Sequence, residues 1–139
     1  KFKLYGIEAS PQFAKLARSK LDIEIYNSFF DGNEFNFKPD IITILHVFEH
    51  IPDPNTFLEK IYDMMSKNTL LIIEVPHIND FNTLDKSHMR FSPPHIFFYS
   101  ETTLQKILLR HNLKIIDFEI FTSIRKRNNI TVYIKRIEN

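Results

Sequence analysis

Two stretches of the chain are apolar almost without polar interruption, Ile41-Ile42-Thr43-Ile44-Leu45 and Thr69 to Val75 (TLLIIEV). That pattern predicts strands of a parallel α/β sheet covered on both faces. Around them the periodicity changes to that of helices. Ser10-Pro11 supplies an N-cap and a first-turn proline for a helix running to about Leu21. Asp53-Pro54 opens a second helix, to about Ser66, with Phe57, Leu58, Ile61, Met64 and Met65 as its buried stripe. Ser100 caps a third, ETTLQKILLRH, with Leu104, Ile107 and Leu108 inward. Residues 3 to 9 and Ile23 to Tyr26 read as short strands, and Asp31-Gly32-Asn33 as a turn. Leu113 to Phe121 and Ile130 to Ile137 read as an antiparallel pair joined through SIRKRNN. The order βα, β, βα, βα, ββ predicts a layered α/β fold with a mixed sheet.

Composition narrows the picture. At 139 residues the chain is read as one domain, with 43% hydrophobic and 25% charged residues. A formal net charge of +1 gives no electrostatic argument for a nucleic-acid or membrane partner. Cysteine is absent, which excludes disulfides and thiolate metal sites. No apolar run approaches the ~18 residues of a membrane span, the first residues lack the layout of a signal peptide, and a cytoplasmic location is expected. Glycine is the scarcest informative residue: Gly6 and Gly32 alone cannot build a phosphate-cradling loop of the GxGxxG kind.

Chemistry concentrates in PDIITILHVFEHIPDP, residues 39–54, where an apolar strand runs into His46, Glu49, His50 and Asp53. In open α/β sheets ligands bind at the carboxyl ends of strands. His46 to His50 spells the letters of the H-x-x-E-H zinc-peptidase signature, which works only on a helix, where i, i+4 spacing turns both imidazoles to one metal. The preceding strand and Pro52 leave too little chain for that helix, so zinc hydrolysis is the weaker alternative and no metal is expected. His50 reads equally as a hydrogen-bonded strand-end imidazole or a catalytic one; His46 reads more simply as structural, and Glu49 as a helix-entry or supporting acid. Glu8, an acid at the end of the first strand just before a helix cap, has the placement that receives ribose hydroxyls in nucleotide-binding α/β folds. The segment HMRFSPPHIFFY, residues 88–99, reads either as a loop pinned by aromatics or as a lid facing a substrate. Arg125-Lys126-Arg127 reads as a solvated hairpin tip.

Three segments together carry a resemblance. GIEASPQFAKLAR resembles the second-strand segment of class I S-adenosylmethionine-dependent methyltransferases, DIITILHVFEHIPDPNTFLEKI their fourth-strand motif and following helix, and HIFFYSETTLQKILLRHNLKIIDFE the region before the sixth strand in members that methylate small molecules. The resemblance implies a Rossmann-like methyltransferase fold, mostly parallel with a C-terminal antiparallel hairpin. It implies S-adenosylmethionine as cofactor and a small-molecule methyl acceptor, with no nucleic acid or membrane partner. Residue by residue, Glu8 matches the acid on the cofactor ribose, Ala9 and Ser10 lie beside the adenine, and Ser28 and Phe29 match the region at its edge. His46 matches the position beside the methionine moiety. His50 and His95 match positions near the acceptor, where a histidine orients or deprotonates it.

Family members begin with a strand, a glycine-rich loop and a helix that are not represented in these residues. The resemblance therefore implies the C-terminal portion of a methyltransferase, a partial domain over residues 1–139. It leaves a gap between the strands at Lys3–Ala9 and Asp40–Leu45, to be closed by preceding chain, by joining the two strands, by strand swapping or by dimerisation. Cofactor binding by this chain alone is expected to be weak or absent. The rival reading is a non-catalytic remnant or interaction module of the same fold.

Overall fold

A computed structural model describes residues 2–88, 91 and 95–138. The chain divides into two compact units, residues 1–36 and 37–139.

In the first unit β1 (Tyr5–Ile7) is followed by α1 (Pro11–Lys20) and β2 (Glu24–Tyr26), and the two strands pair in parallel with Gly6 opposite Ile25. Ser10 is the N-cap of α1, its hydroxyl accepting from Phe13 N–H, and Pro11 occupies the first turn, where its missing N–H is not needed. Arg18 and Lys20 suit the negative end of the helix dipole. The Arg18 guanidinium also donates to Ile25 O, which ties helix to strand. Tyr5 and Tyr26 both meet the edge of Phe35. At the Asp31–Asn33 turn Gly32 has φ 91, the left-handed region, and the Glu34 carboxylate accepts from the amides of Asp31 and Gly32.

The second unit holds β3 (Ile41–Leu45), a single 3-10 turn (Phe48–His50), α2 (Pro54–Met64), β4 (Leu70–Pro76), α3 (Asp80–Thr83), α4 (Glu101–Arg110), β5 (Leu113–Thr122) and β6 (Asn128–Arg136). Its sheet has the order β3-β4-β6-β5, parallel between β3 and β4 and antiparallel in the other two pairings. Directly opposed residues share a sheet face. Ile42 opposes Leu71, Ile44 opposes Ile73, and Leu71, Ile73 and Val75 oppose Ile134, Val132 and Ile130. All eight are buried, as are Leu58, Ile61, Met64, Met65, Leu104, Leu108 and Leu113. Burying one such side chain contributes roughly 1.5–3 kcal/mol, so this face is the main source of stability.

The opposite face departs from expectation. β3 alternates exposed and buried, with Ile41 and Leu45 each 52% exposed. An apolar, β-branched run specifies a strand but not how many of its faces are covered, and here only one is. Within its own sheet β3 stands at one end of the strand order, and β1 pairs with β2 in a two-stranded sheet. Among the described residues no helix is long and apolar enough to cross a membrane.

Candidate functional site

The end of β3 is built by an abrupt change of backbone. His46 N–H still bonds to Glu74 O at 2.9 Å, continuing the ladder one residue beyond the strand. His46 then takes φ 53, a left-handed conformation that costs an L-residue about 1–2 kcal/mol. The turn that follows is a 3-10 turn over Phe48–His50, and α2 starts only at Pro54, capped by the Asp53 carboxylate on the amides of Asn55 and Thr56. These hydrogen bonds, chiefly that from the Thr56 hydroxyl, hold Asp53 below its ordinary carboxylate range. His46 and His50 therefore do not share an α-helix, and the helical geometry of a zinc-peptidase motif is not formed.

A different constellation forms instead. Phe48 is buried and stacks on Tyr99 at 5.3 Å, which turns the next side chain, Glu49, fully into the interior. Among the described residues neither carboxylate oxygen of Glu49 has a hydrogen-bond partner. Three imidazoles approach its Oε1: His46 Nδ1 at 3.4 Å, His50 Nε2 at 3.8 Å and His95 Nε2 at 4.0 Å. His95 arrives through the main chain, because the amides of Ile96 and Phe97 both donate to Glu49 O, at 3.1 and 3.2 Å. The rings of His50 and His95 consequently lie 4.8 Å apart. His46 also presents Nε2 to Glu74 Oε1 at 3.1 Å, so its ring spans two carboxylates. Burial pushes the Tyr99 hydroxyl up from its ordinary pKa, and the charge of Glu49 adds to the effect.

Beside His95 lies an aromatic cluster. Phe81 packs on Phe91 at 4.7 Å and on Phe98 at 4.8 Å, and the edge of Phe98 meets His95 at 6.1 Å. These rings come from α3 and the 88–99 segment, of which Met89, Arg90, Ser92, Pro93 and Pro94 lie outside the described residues.

The remaining expected site residues belong to the first unit. Glu8 follows β1 directly, its amide on Tyr26 O, and its Oε1 accepts from Ser10 N–H at 2.8 Å. Asn27 donates to the carbonyls of Glu8 and Ala9 and so fixes the two strand ends beside Ser10. Ser28 is exposed and Phe29 is 85% exposed. Sequence reasoning missed three contributors: Asn27, Glu74 and the depth of Glu49. Glu74 had a signal, a lone acid near the end of an otherwise apolar strand.

Comparison with known proteins gives a consistent result. A family profile described as a methyltransferase domain matches residues 1–117, and no curated protein sequence matches significantly. Among solved structures, the chain is similar to one in the complex of the Haloferax volcanii Trm112 methyltransferase activator with a methyltransferase (TM-score 0.78, 11% identity, covering 96% of this chain and 72% of that one). It is similar to an S-adenosylmethionine-dependent methyltransferase from Clostridium acetobutylicum (TM-score 0.71, 14% identity, 96% and 75% covered). It is also similar to magnesium protoporphyrin IX methyltransferase from Synechocystis with bound S-adenosylhomocysteine (TM-score 0.65, 18% identity, 95% and 63% covered). At these identities the structures establish a Rossmann-like methyltransferase fold.

Proposed function

Given that the chain belongs to the class I S-adenosylmethionine-dependent methyltransferase family, as its match over residues 1–117 establishes, we propose that it takes part in methyl transfer from S-adenosylmethionine to a small molecule. The observation that carries this reading is the cluster of His50 and His95 around the buried Glu49 carboxylate. In this reaction the acceptor attacks the sulfonium methyl in line; the new bond to the acceptor forms as the S–CH3 bond breaks, leaving S-adenosylhomocysteine. The protein contributes alignment, and help with the acceptor's proton where the nucleophile carries one.

Glu8, at the end of β1, is the ribose ligand in this reading, with Ala9, Ser10, Ser28 and Phe29 beside the adenine and His46 toward the methionine end. His50 and His95 orient the acceptor and assist the loss of its proton. The Phe81, Phe91 and Phe98 rings next to His95 favour an acceptor with a ring or apolar body over a highly charged polymer. Related folds named for ring compounds, a protoporphyrin methyltransferase and the mitomycin 7-O-methyltransferase, are compatible with that preference.

The test is methyl transfer from labelled S-adenosylmethionine to a panel of phenols, quinols and sugars. His95→Ala is expected to lower turnover by roughly 10²–10⁴-fold, the usual worth of acid–base assistance, with cofactor affinity unchanged. His50→Ala is expected to fall in the same range. Normal turnover in both variants would remove the acceptor from this cluster.

A further inference from the structure

A carboxylate that is fully buried and makes no hydrogen bond is rare, and calls for a compensating group. Among the described residues Glu49 is such a group. One of its oxygens, one nitrogen of His50 and one of His95 all lie within 4.8 Å of one another. Ligands held at the ~2.1 Å typical of zinc in a tetrahedral site stand about 3.4 Å apart. The observed 3.8 Å and 4.0 Å separations from Glu49 Oε1 close to that value by shifts of about half an ångström, and the two imidazole nitrogens, within 4.8 Å of each other, by up to about 1.4 Å. The side chains of His50 and His95 are 30% and 19% exposed, so solvent reaches both imidazoles, while Glu49 anchors the cluster from within.

We propose that Glu49, His50 and His95 form a binding site for a divalent transition-metal ion, zinc being the ion that fits this donor set, with an open coordination position toward solvent. Two imidazoles and one carboxylate, with no cysteine available, are the donor set of zinc sites that keep a place for water or substrate. The ligands differ from those of the helical motif spelled by residues 46–50, because His95 takes the place of His46. His46 has another part: one ring nitrogen faces Glu49 and the other faces Glu74, which orients the buried carboxylate from behind. The aromatic rings beside His95 give the open position an apolar neighbour on which a ring compound could lie.

The use of the ion rests on the methyl-transfer reading. An acceptor hydroxyl that enters the open position has its O–H polarised, its proton passes to solvent, and the oxygen becomes the nucleophile. This is how His50 and His95 assist the acceptor, by holding the ion that activates it. The site itself stands on the donor geometry alone.

The experiment is titration of zinc chloride into the chain in competition with a chromophoric chelator, repeated with cobalt(II) to read ligand-field absorption. Alongside it, S-adenosylhomocysteine binding is measured on the same protein. One equivalent of zinc is expected, with tetrahedral-type cobalt absorption. Glu49→Gln, which keeps the shape of the buried side chain, and His95→Ala, at a partly exposed position, should each weaken zinc by more than about 100-fold, beyond the 10–100-fold typical of supporting residues around a metal. His111→Ala, whose imidazole meets the Asn55 side chain and is not one of the three ligands, should leave it unchanged. Less than stoichiometric binding, or binding equal in the parent, Glu49→Gln and His95→Ala proteins, overturns the metal site, and S-adenosylhomocysteine binding that persists then leaves the methyl-transfer reading standing. Stoichiometric zinc lost in both variants upholds the site even where S-adenosylhomocysteine fails to bind.

Discussion

Glu49 is the residue on which the site turns, and it shows what sequence can and cannot convey about a side chain. Its letter is plain in HVFEH, and a strand-end acid is an ordinary surface feature. Its depth is not plain, because burial follows from Phe48 stacking on Tyr99 and from two amides of a distant segment bonding to the Glu49 carbonyl. Glu8 was legible for the opposite reason: its place depends only on local order, a strand, an acid and the cap of α1. Tyr99 offers a test at this scale. Its hydroxyl is buried and has no hydrogen-bond partner among the described residues. Folding strips the hydroxyl of water and returns nothing, a penalty of about 1–3 kcal/mol for such a group. Tyr99→Phe keeps the ring on Phe48 and is expected to raise stability by up to that amount in urea denaturation at unchanged m-value. A loss of more than about 1 kcal/mol would mean that the hydroxyl has a partner in solution.

Among the elements, the helices were the most legible, since Ser10-Pro11, Asp53-Pro54 and Ser100 announce their starts and all three cap as expected. Strand faces were harder. The doublet Ile115-Ile116 breaks the alternation of β5, and the structure explains it by a bulge: Ile115 opposes Ile134, Ile116 is skipped, and Asp117 opposes Tyr133. Leu113 and Ile115 before the bulge are then followed by Phe118 and Ile120 on the same face, opposite the buried Val132 and Ile130. β3 misled because no pattern within a strand reports what lies over its second face. The junction of β4 and α4 was not foreseen at all. There His77, buried, accepts from Asn79 N–H at Nδ1 and donates from Nε2 to Glu101. Glu101's own backbone N–H and this imidazole hold its carboxyl below the ordinary range. A depressed folded-state pKa means that the unfolded chain takes up the proton first. The stability from this junction is therefore present above the unfolded value of about 4.3 and is lost as pH falls through the folded value. Glu101→Gln should flatten the fall of Tm between about pH 5 and pH 3. Parallel curves for the two proteins would contradict the assignment.

For the molecule as a whole, order along the chain carried more information than any single motif. Three moderate resemblances in the right succession identified the family, and the profile match over residues 1–117 agrees. What order could not supply was the division into two compact units, which depends on where contacts fall rather than on which elements occur. The central claim, that these residues serve S-adenosylmethionine chemistry, is tested most directly by following backbone amide signals of the 139-residue chain during titration with S-adenosylhomocysteine. Its glycines, Gly6 and Gly32, form no glycine-rich loop, so low affinity is expected, with shifts in fast exchange centred on Glu8, Ala9, Ser10, Ser28 and Phe29. Glu8→Ala should weaken binding by about 1.5–3 kcal/mol, the worth of a hydrogen bond to a charged group, and Glu8→Gln by less. Absence of localised shifts at millimolar ligand, or a titration unchanged by Glu8→Ala, would contradict the claim and leave an interaction module of the same fold.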